Sequence, residues 1–525
     1  MIRLSALWLV VIGVGVISWK DWFKGLCGLV VLIGILEYPD VPKSMFGIPG
    51  LNFFNLLLLN LTLAWMVGRS RERLAWDMPS HIAALLSLYV AVILIGWLRL
   101  YFDRGLMSAT ETTGSIISEY LVNTLKWMTP CLLLFDGCRS RERLRLAAFS
   151  LLGAYVFLAV MTIKVMPLGA AFLGGTELQR LALKLLVSRI GYHRVTLSMM
   201  LGGAAWAVIA AAPLLDRRLR WTMPIVSLVV VYAQFLTGGR GGIVTLGVIG
   251  LLLGLLKWRK VFLVAPLAAA LFYVIEPSAY DRLLQGFVKE PDIVGTQTEI
   301  NEYELTSGRN IIWPYVIRQI EQKPWTGWGR QAMLRTGTVA FLYTELKEDF
   351  GHPHNAYLET LLDNGIIGTL PVLALFLTLL FHSLRLFLER RSVLCNVAGG
   401  LAATTILALM VAGMSSQSFY PIEGTVEMWC AIGLMVRLAV ERARALATLA
   451  PKRPPLALVT SAGPRIPTAP AKVDLDTLIF GGTDAARPPA PAPAARPPFS
   501  AAARQAARFR SGAPVEPAAG ARFRF

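Results

Sequence analysis

Two of the chain's five histidines, His352 and His354, fall in the segment GHPHNAYLETLLDNGIIG, residues 351–368, just ahead of a long apolar run. Imidazole titrates near neutral pH and can take a proton from a hydroxyl nucleophile. Pro353 suits the first turn of a helix, which would set His354 at the N-terminal end of the helix that follows. Asn355 would then orient either the imidazole or a substrate hydroxyl. Gly365 and Gly368 permit close backbone approach, and Pro371 predicts a kink just below. The bland alternative is an interfacial histidine hydrogen-bonded to loop backbone. Zinc is the rival chemistry, since Glu348 and Asp349 stand near the two histidines. That spacing matches no established zinc pattern, so no metal and no cofactor is expected.

Cations form the second set. Arg240 sits between glycine pairs in LTGGRGGIVTLGVIG, residues 236–250. An arginine in a membrane is costly unless it is paired or faces a cavity, and guanidinium binds phosphate bidentately. The flanking glycines would let backbone N–H groups approach an anion. Ser307-Gly308-Arg309 opens an amphipathic stretch, and Arg309 is either a solvated loop cation or a substrate contact. SRIGYHRVTLS, residues 188–198, offers Arg189, His193 and Arg194. Glu359 and Asp363 follow His354 and could orient a basic group or be ordinary interfacial acids.

The elements that must hold these groups are apolar. Of 525 residues, 55% are hydrophobic and 16% charged, with mean hydropathy +0.56; a soluble chain carries roughly a quarter charged residues. Thirteen apolar runs recur, at about 4–19, 23–38, 51–68, 81–102, 117–135, 145–167, 195–215, 221–237, 242–257, 260–276, 356–381, 397–414 and 424–440. The expected fold is therefore an all-α polytopic membrane protein of about twelve transmembrane helices. Solid apolar blocks exclude a β-barrel, whose strands alternate. The net charge of +18 lies mostly in short loops and the tail, where it orients spans, so nucleic acid is not an expected partner. The five cysteines read as small buried hydrophobes, and the N-terminus as a retained first span.

Arg69, Arg71 and Arg73, the group Arg139 to Arg145, Arg217 to Arg220, Lys257 to Lys260, and Arg385 to Arg391 fall in alternate loops, which should be cytoplasmic. On that register Arg240 and His354 face the same outer side. The chain divides into spans over 1–276, a long external loop over 277–355 ending in the histidine motif, further spans over 356–445, and a Pro/Ala/Arg-rich tail over 451–525. The loop has amphipathic stretches near 308–322 and 331–349 and should form a partly helical cap. The tail has little to build a core from and is expected to be disordered and cytoplasmic.

His354-Asn355, nine residues, then Gly365-Ile366-Ile367-Gly368 resembles the signature of the O-antigen ligase and polymerase superfamily, bacterial inner-membrane enzymes that transfer lipid-carried glycans. The resemblance extends to the multispan layout and the long loop before the motif, about 440 residues in architecture. It implies a metal-independent glycosyltransferase with its site on the periplasmic face. The implied donor is a polyprenyl-diphosphate-linked glycan, and the implied acceptor is lipid A-core or another hydroxyl. His354 would be the general base and Arg240 would hold the diphosphate. Similar loops carry an SGR…P…GxG pattern, matched here by Ser307 to Arg309, Pro324, Gly327 and Gly329, which implicates Arg309. A basic residue is also common near Arg189 and Arg194, although the local pattern there is not clean. A polymerase, a protein O-oligosaccharyltransferase and a transporter or flippase are the competing readings.

Overall fold

The computed structural model describes residues 2–46, 48–105, 107, 111–284, 306–347, 350–415, 417–449 and 474–480. Among them the chain is helical, apart from one short antiparallel hairpin, Ser44–Met45 with Ile48–Pro49. Six helices are long and apolar enough to cross a membrane: Phe53–Arg71, Ser80–Phe102, Arg141–Val165, Arg194–Leu214, Ala356–Phe387 and Val393–Ala412. Five shorter apolar helices accompany them, at Ser5–Lys20, Trp22–Ile35, Thr222–Leu236, Arg240–Leu256 and Val261–Ile275. The chain is thus an all-α membrane protein.

The apolar run at 117–135 is not one helix. It is divided into Thr113–Ile117, a π-turn at Ser118–Val122, Asn123–Lys126 and Thr129–Gly137. Pro130 near the start of the last piece explains the restart, since proline fits a first helical turn and cannot continue a previous one. Arg194–Ala211 and Val393–Ala412 form the buried centre of the bundle. Small residues permit this: a Cβ added at Gly203 would lie 2.8 Å from the Ala408 methyl carbon.

The helix Ala356–Phe387 is broken at Gly365, which has φ 61° and ψ −170°, a conformation open essentially to glycine alone. Pro371 stays within helical backbone, so the expected kink falls earlier than proline placed it. A helix break normally strands backbone donors and acceptors, an expensive outcome near lipid. Here residues 324–329 of the loop take up two donors and two acceptors. Ile366 and Ile367 donate to the carbonyls of Pro324 (2.8 Å) and Trp325 (3.1 Å). The carbonyls of Leu362 and Asp363, freed by that change, accept from the N–H groups of Trp328 (2.8 Å) and Gly329 (2.6 Å). The approach is so close that a Cβ on Gly365 would sit 2.4 Å from the Trp325 backbone.

Three further arginines fix this loop. Arg99 donates to the carbonyls of Thr326 (2.5 Å) and Gly327 (2.6 Å). Arg330 donates to the Tyr120 carbonyl (2.7 Å) and the Thr124 hydroxyl (2.9 Å), with its guanidinium 4.2 Å from the Tyr420 ring centre. Arg335 donates to the Asp103 carbonyl (2.6 Å) and carboxylate (2.8 Å). The expected amphipathic stretches appear as Arg309–Gln322, Ala332–Arg335 and Thr338–Leu346, packed over a small apolar core of Ile312, Val316, Met333 and Leu342.

At the other end of Ser80–Phe102, about 35 Å away at 1.5 Å per residue, Asp77 meets Arg437, Arg139 and Arg444. Asp136 receives Arg69 (2.8 Å) and Arg139 (3.2 Å), and Glu72 receives Arg143 (2.8 Å). The tail expectation over 451–525 lies mostly outside the described residues. One part departs from it: Leu475–Phe480 is helical, and the buried Asp476 accepts from the Ser392 hydroxyl and from the Val393 (2.9 Å) and Leu394 (3.4 Å) amides. A carboxylate capping the first turn of Val393–Ala412 supplies the reason for that docking.

Candidate functional site

His354 precedes its helix and does not lie within it. Ala356 is the first helical residue, and Asn355 is the N-cap, its side-chain oxygen accepting from Tyr357 N (2.9 Å) and Leu358 N (3.2 Å). Pro353 therefore stands ahead of the first turn, and the Asn355 oxygen is taken up by capping. His354 adopts φ 51°, an uncommon left-handed conformation for a non-glycine residue. Its backbone N–H donates to His352 Nδ1 (3.2 Å), and the two rings lie 4.0 Å apart. Trp313 donates to the Pro353 carbonyl (3.0 Å), and Ala356 to the Gly413 carbonyl (2.7 Å). The imidazole is thus presented on a braced turn.

Arg240 is the first residue of Arg240–Leu256 and donates to the Ser307 hydroxyl at 2.5 Å. Two residues on, Arg309 is the first residue of Arg309–Gln322 and donates to the Thr306 carbonyl (3.2 Å), while its buried Nε has no hydrogen-bond partner among the described residues. The Ser307 turn therefore brings the two arginines together. Arg194 is the first residue of its helix as well, buried, and donates to the Gly238 carbonyl (3.0 Å). Three helices thus open with arginine at one place, where the histidine helix also begins. This is the wrong sign of charge for a helix N-terminus, whose dipole favours anions. Gly239 and Gly308, the caps of the first two, provide no side-chain cap.

The glycines around Arg240 have a packing role that sequence reasoning missed. A Cβ on Gly239 or Gly242 would strike Ser198, at 2.5 Å and 2.0 Å, and one on Gly241 would lie 2.4 Å from the Ser415 hydroxyl. They let Arg240–Leu256 lie against its neighbours.

Electrostatics ties the group together. Burial, then His352, Arg309 and His193, pull His354 down to about 3. Burial and the nearby Arg240 pull Arg309 down to about 10. His352 and His193 are also lowered, chiefly by burial, with His193 pushed further by Arg194. His354 is thus a neutral imidazole among cations. Among the described residues neither Arg194 nor Arg309 has a carboxylate partner.

Of the residues singled out in the sequence, His354, His352, His193, Arg240, Arg309 and Arg194 come together. Arg189 does not join them: it is exposed at the end of Gly175–Arg189, and its side chain makes no hydrogen bond or ion pair among the described residues. Asp363 serves the loop, accepting from Ala332 N (3.1 Å) and from Tyr420 OH (3.1 Å). Glu359 is hydrogen-bonded by Ser418. Glu348 and Asp349, the other half of the zinc reading, lie outside the described residues. Arg330 was not singled out; its partners Tyr120 and Thr124 are 210 and 206 positions away, beyond any local pattern.

A cationic cluster beside an imidazole, at one end of the helical bundle, is a candidate site for an anion. Residues 225–373, which contain both Arg240 and His354, match the O-antigen ligase family model, a match that supports membership of the O-antigen ligase superfamily. Members of that family are glycosyltransferase-like ligases and polymerases acting on lipid-linked glycans and acceptors in a membrane, which supports an enzyme here. No curated protein matches it.

Proposed function

We propose that the protein is an O-antigen ligase-like glycosyltransferase of the bacterial inner membrane. It moves a glycan from polyprenyl diphosphate to a hydroxyl of lipid A-core on the periplasmic face. The observation that carries this reading is the meeting of three arginine-led helix N-termini with the turn that bears His354. Cations at helix starts repel the local dipole, and a bound diphosphate would offset both.

In the reaction, the acceptor oxygen forms a bond to the anomeric carbon. The bond from that carbon to the diphosphate oxygen breaks, and the electron pair leaves with the diphosphate. His354 takes the proton from the acceptor hydroxyl. Arg240, Arg309 and Arg194 bind the diphosphate and stabilise the charge that grows on it. Burial first, then repulsion from the neighbouring cations, keeps His354 a weak base. An anion among them offsets that repulsion, so the imidazole gains basicity only when donor is bound.

The test is a proteoliposome assay with radiolabelled lipid-linked glycan. Label appearing on lipid A-core supports the reading. Label on a second lipid-linked glycan or on a pilin-like protein would reassign the acceptor. Glycan crossing the bilayer without transfer would overturn the enzyme reading in favour of transport.

A further inference from the structure

The segment between the helices Val393–Ala412 and Val426–Leu449, described at 413–415 and 417–422, takes no part in the scheme above, yet it touches both halves of the cluster. On one side, Gly413 accepts from Ala356 N, two residues beyond His354 (2.7 Å). On the other, the Ser415 hydroxyl lies 2.4 Å from where a Cβ of Gly241, the neighbour of Arg240, would stand. Tyr89 OH donates to the Phe419 carbonyl (2.5 Å) and Asn364 to Tyr420 OH (2.8 Å), while Tyr357 OH donates to the Met410 carbonyl in the helix just before it (2.9 Å). Within it, Gln417 is 3% exposed, and among the described residues neither its amide oxygen nor its amide nitrogen has a hydrogen-bond partner. A buried amide left unmatched costs roughly 1–3 kcal/mol, so native structures seldom keep one without reason.

We infer that Gln417 is a specificity-determining residue that hydrogen-bonds the first sugar of the donor. This rests on the functional reading above. The anomeric carbon must lie between the cations that hold the diphosphate and the imidazole that receives the proton. The 413–422 segment is joined to the elements carrying both, so the sugar bearing that carbon is the group it meets. A primary amide offers two donors and one acceptor, which match the neighbouring hydroxyl or acetamido groups of a pyranose. A site built around such an amide rejects ligands that leave it unpaired.

The experiment uses the full chain in nanodiscs and two probes, undecaprenyl diphosphate and undecaprenyl-diphosphate-linked N-acetylglucosamine. The wild type should bind the sugar-bearing lipid more tightly than the bare one. Gln417→Met keeps the length of the side chain and removes its polar atoms; it should weaken the sugar-bearing lipid about five- to tenfold, the value of one to two hydrogen bonds, and leave the bare lipid unchanged. Gln417→Asn, with the amide on a shorter stem, should fall between. If Gln417→Met binds both lipids as the wild type does, or loses both equally, the inference is overturned while the functional reading stands. A wild type that binds neither lipid overturns both.

Discussion

The two ends of the bundle solve opposite electrostatic problems. At the basic end each arginine cluster carries its own counter-charge: Arg437 is fully buried, yet it pairs with Asp77 and with Glu441 (2.9 Å), and Arg139 bridges Asp77 and Asp136. Burial alone would raise Asp77, but Arg437, Arg139 and Arg444 overcome it and hold the carboxyl down at about 2. At the histidine end, Arg194 and Arg309 bond only backbone carbonyls among the described residues, and helix dipoles add to their charge. A finished network stabilises the fold. An unfinished one is ready for a ligand.

Substitutions sharpen that contrast. His354→Ala should lower transfer by about a hundredfold or more, the usual worth of a general base, with membrane abundance unchanged; a fall in abundance instead would make the residue structural. Arg437→Ala should do the reverse, costing about 3–5 kcal/mol of stability by leaving carboxylates unpaired, read as a lower melting temperature with little change in turnover per folded molecule. Gly365→Ala adds both a backbone clash and about 1–3 kcal/mol of strain. It should lower kcat as well as stability, because the broken helix carries the His354 turn at its start. Arg240→Lys keeps the charge but loses the fork, and should raise KM for donor by about tenfold; equal performance by lysine would sink the diphosphate clamp.

Acidification separates the ends more gently. His354 and Asp77 both have folded values below their ordinary ones, so each adds stability above the ordinary value that is lost as pH falls towards the folded value. For His354 the window runs from 6.5 down to about 3; for Asp77 it runs from 3.8 down to about 2. Melting curves should therefore show an early loss that a diphosphate lipid reverses and that His354→Gln lacks, followed by a later loss that the lipid does not touch.

Much of this was legible in the chain. Apolar runs revealed the helical bundle, because lipid demands uninterrupted hydrophobicity. The His354 spacing and the GGRGG and SGR segments marked the residues that meet. What the sequence hid depends on distant partners. The run through 117–135 looks continuous, but Pro130 restarts it. Gly365 reads as a contact glycine, whereas its backbone exchanges partners with a segment forty residues upstream, Trp325 being the nearest case. Asn355 looked available for substrate until its oxygen proved to be a cap. Asp476 sits in a stretch whose composition gives no hint that it caps a helix 83 residues earlier.

The hydrogen bonds traded between Gly365 and residues 324–329 also constrain assembly. During insertion the interrupted helix would present raw amides and carbonyls to lipid until the preceding segment arrives to cover them, so the two pieces must mature together. A chimera that grafts the outer segment from a relative without its matching glycine helix should misassemble, whatever happens to the histidine.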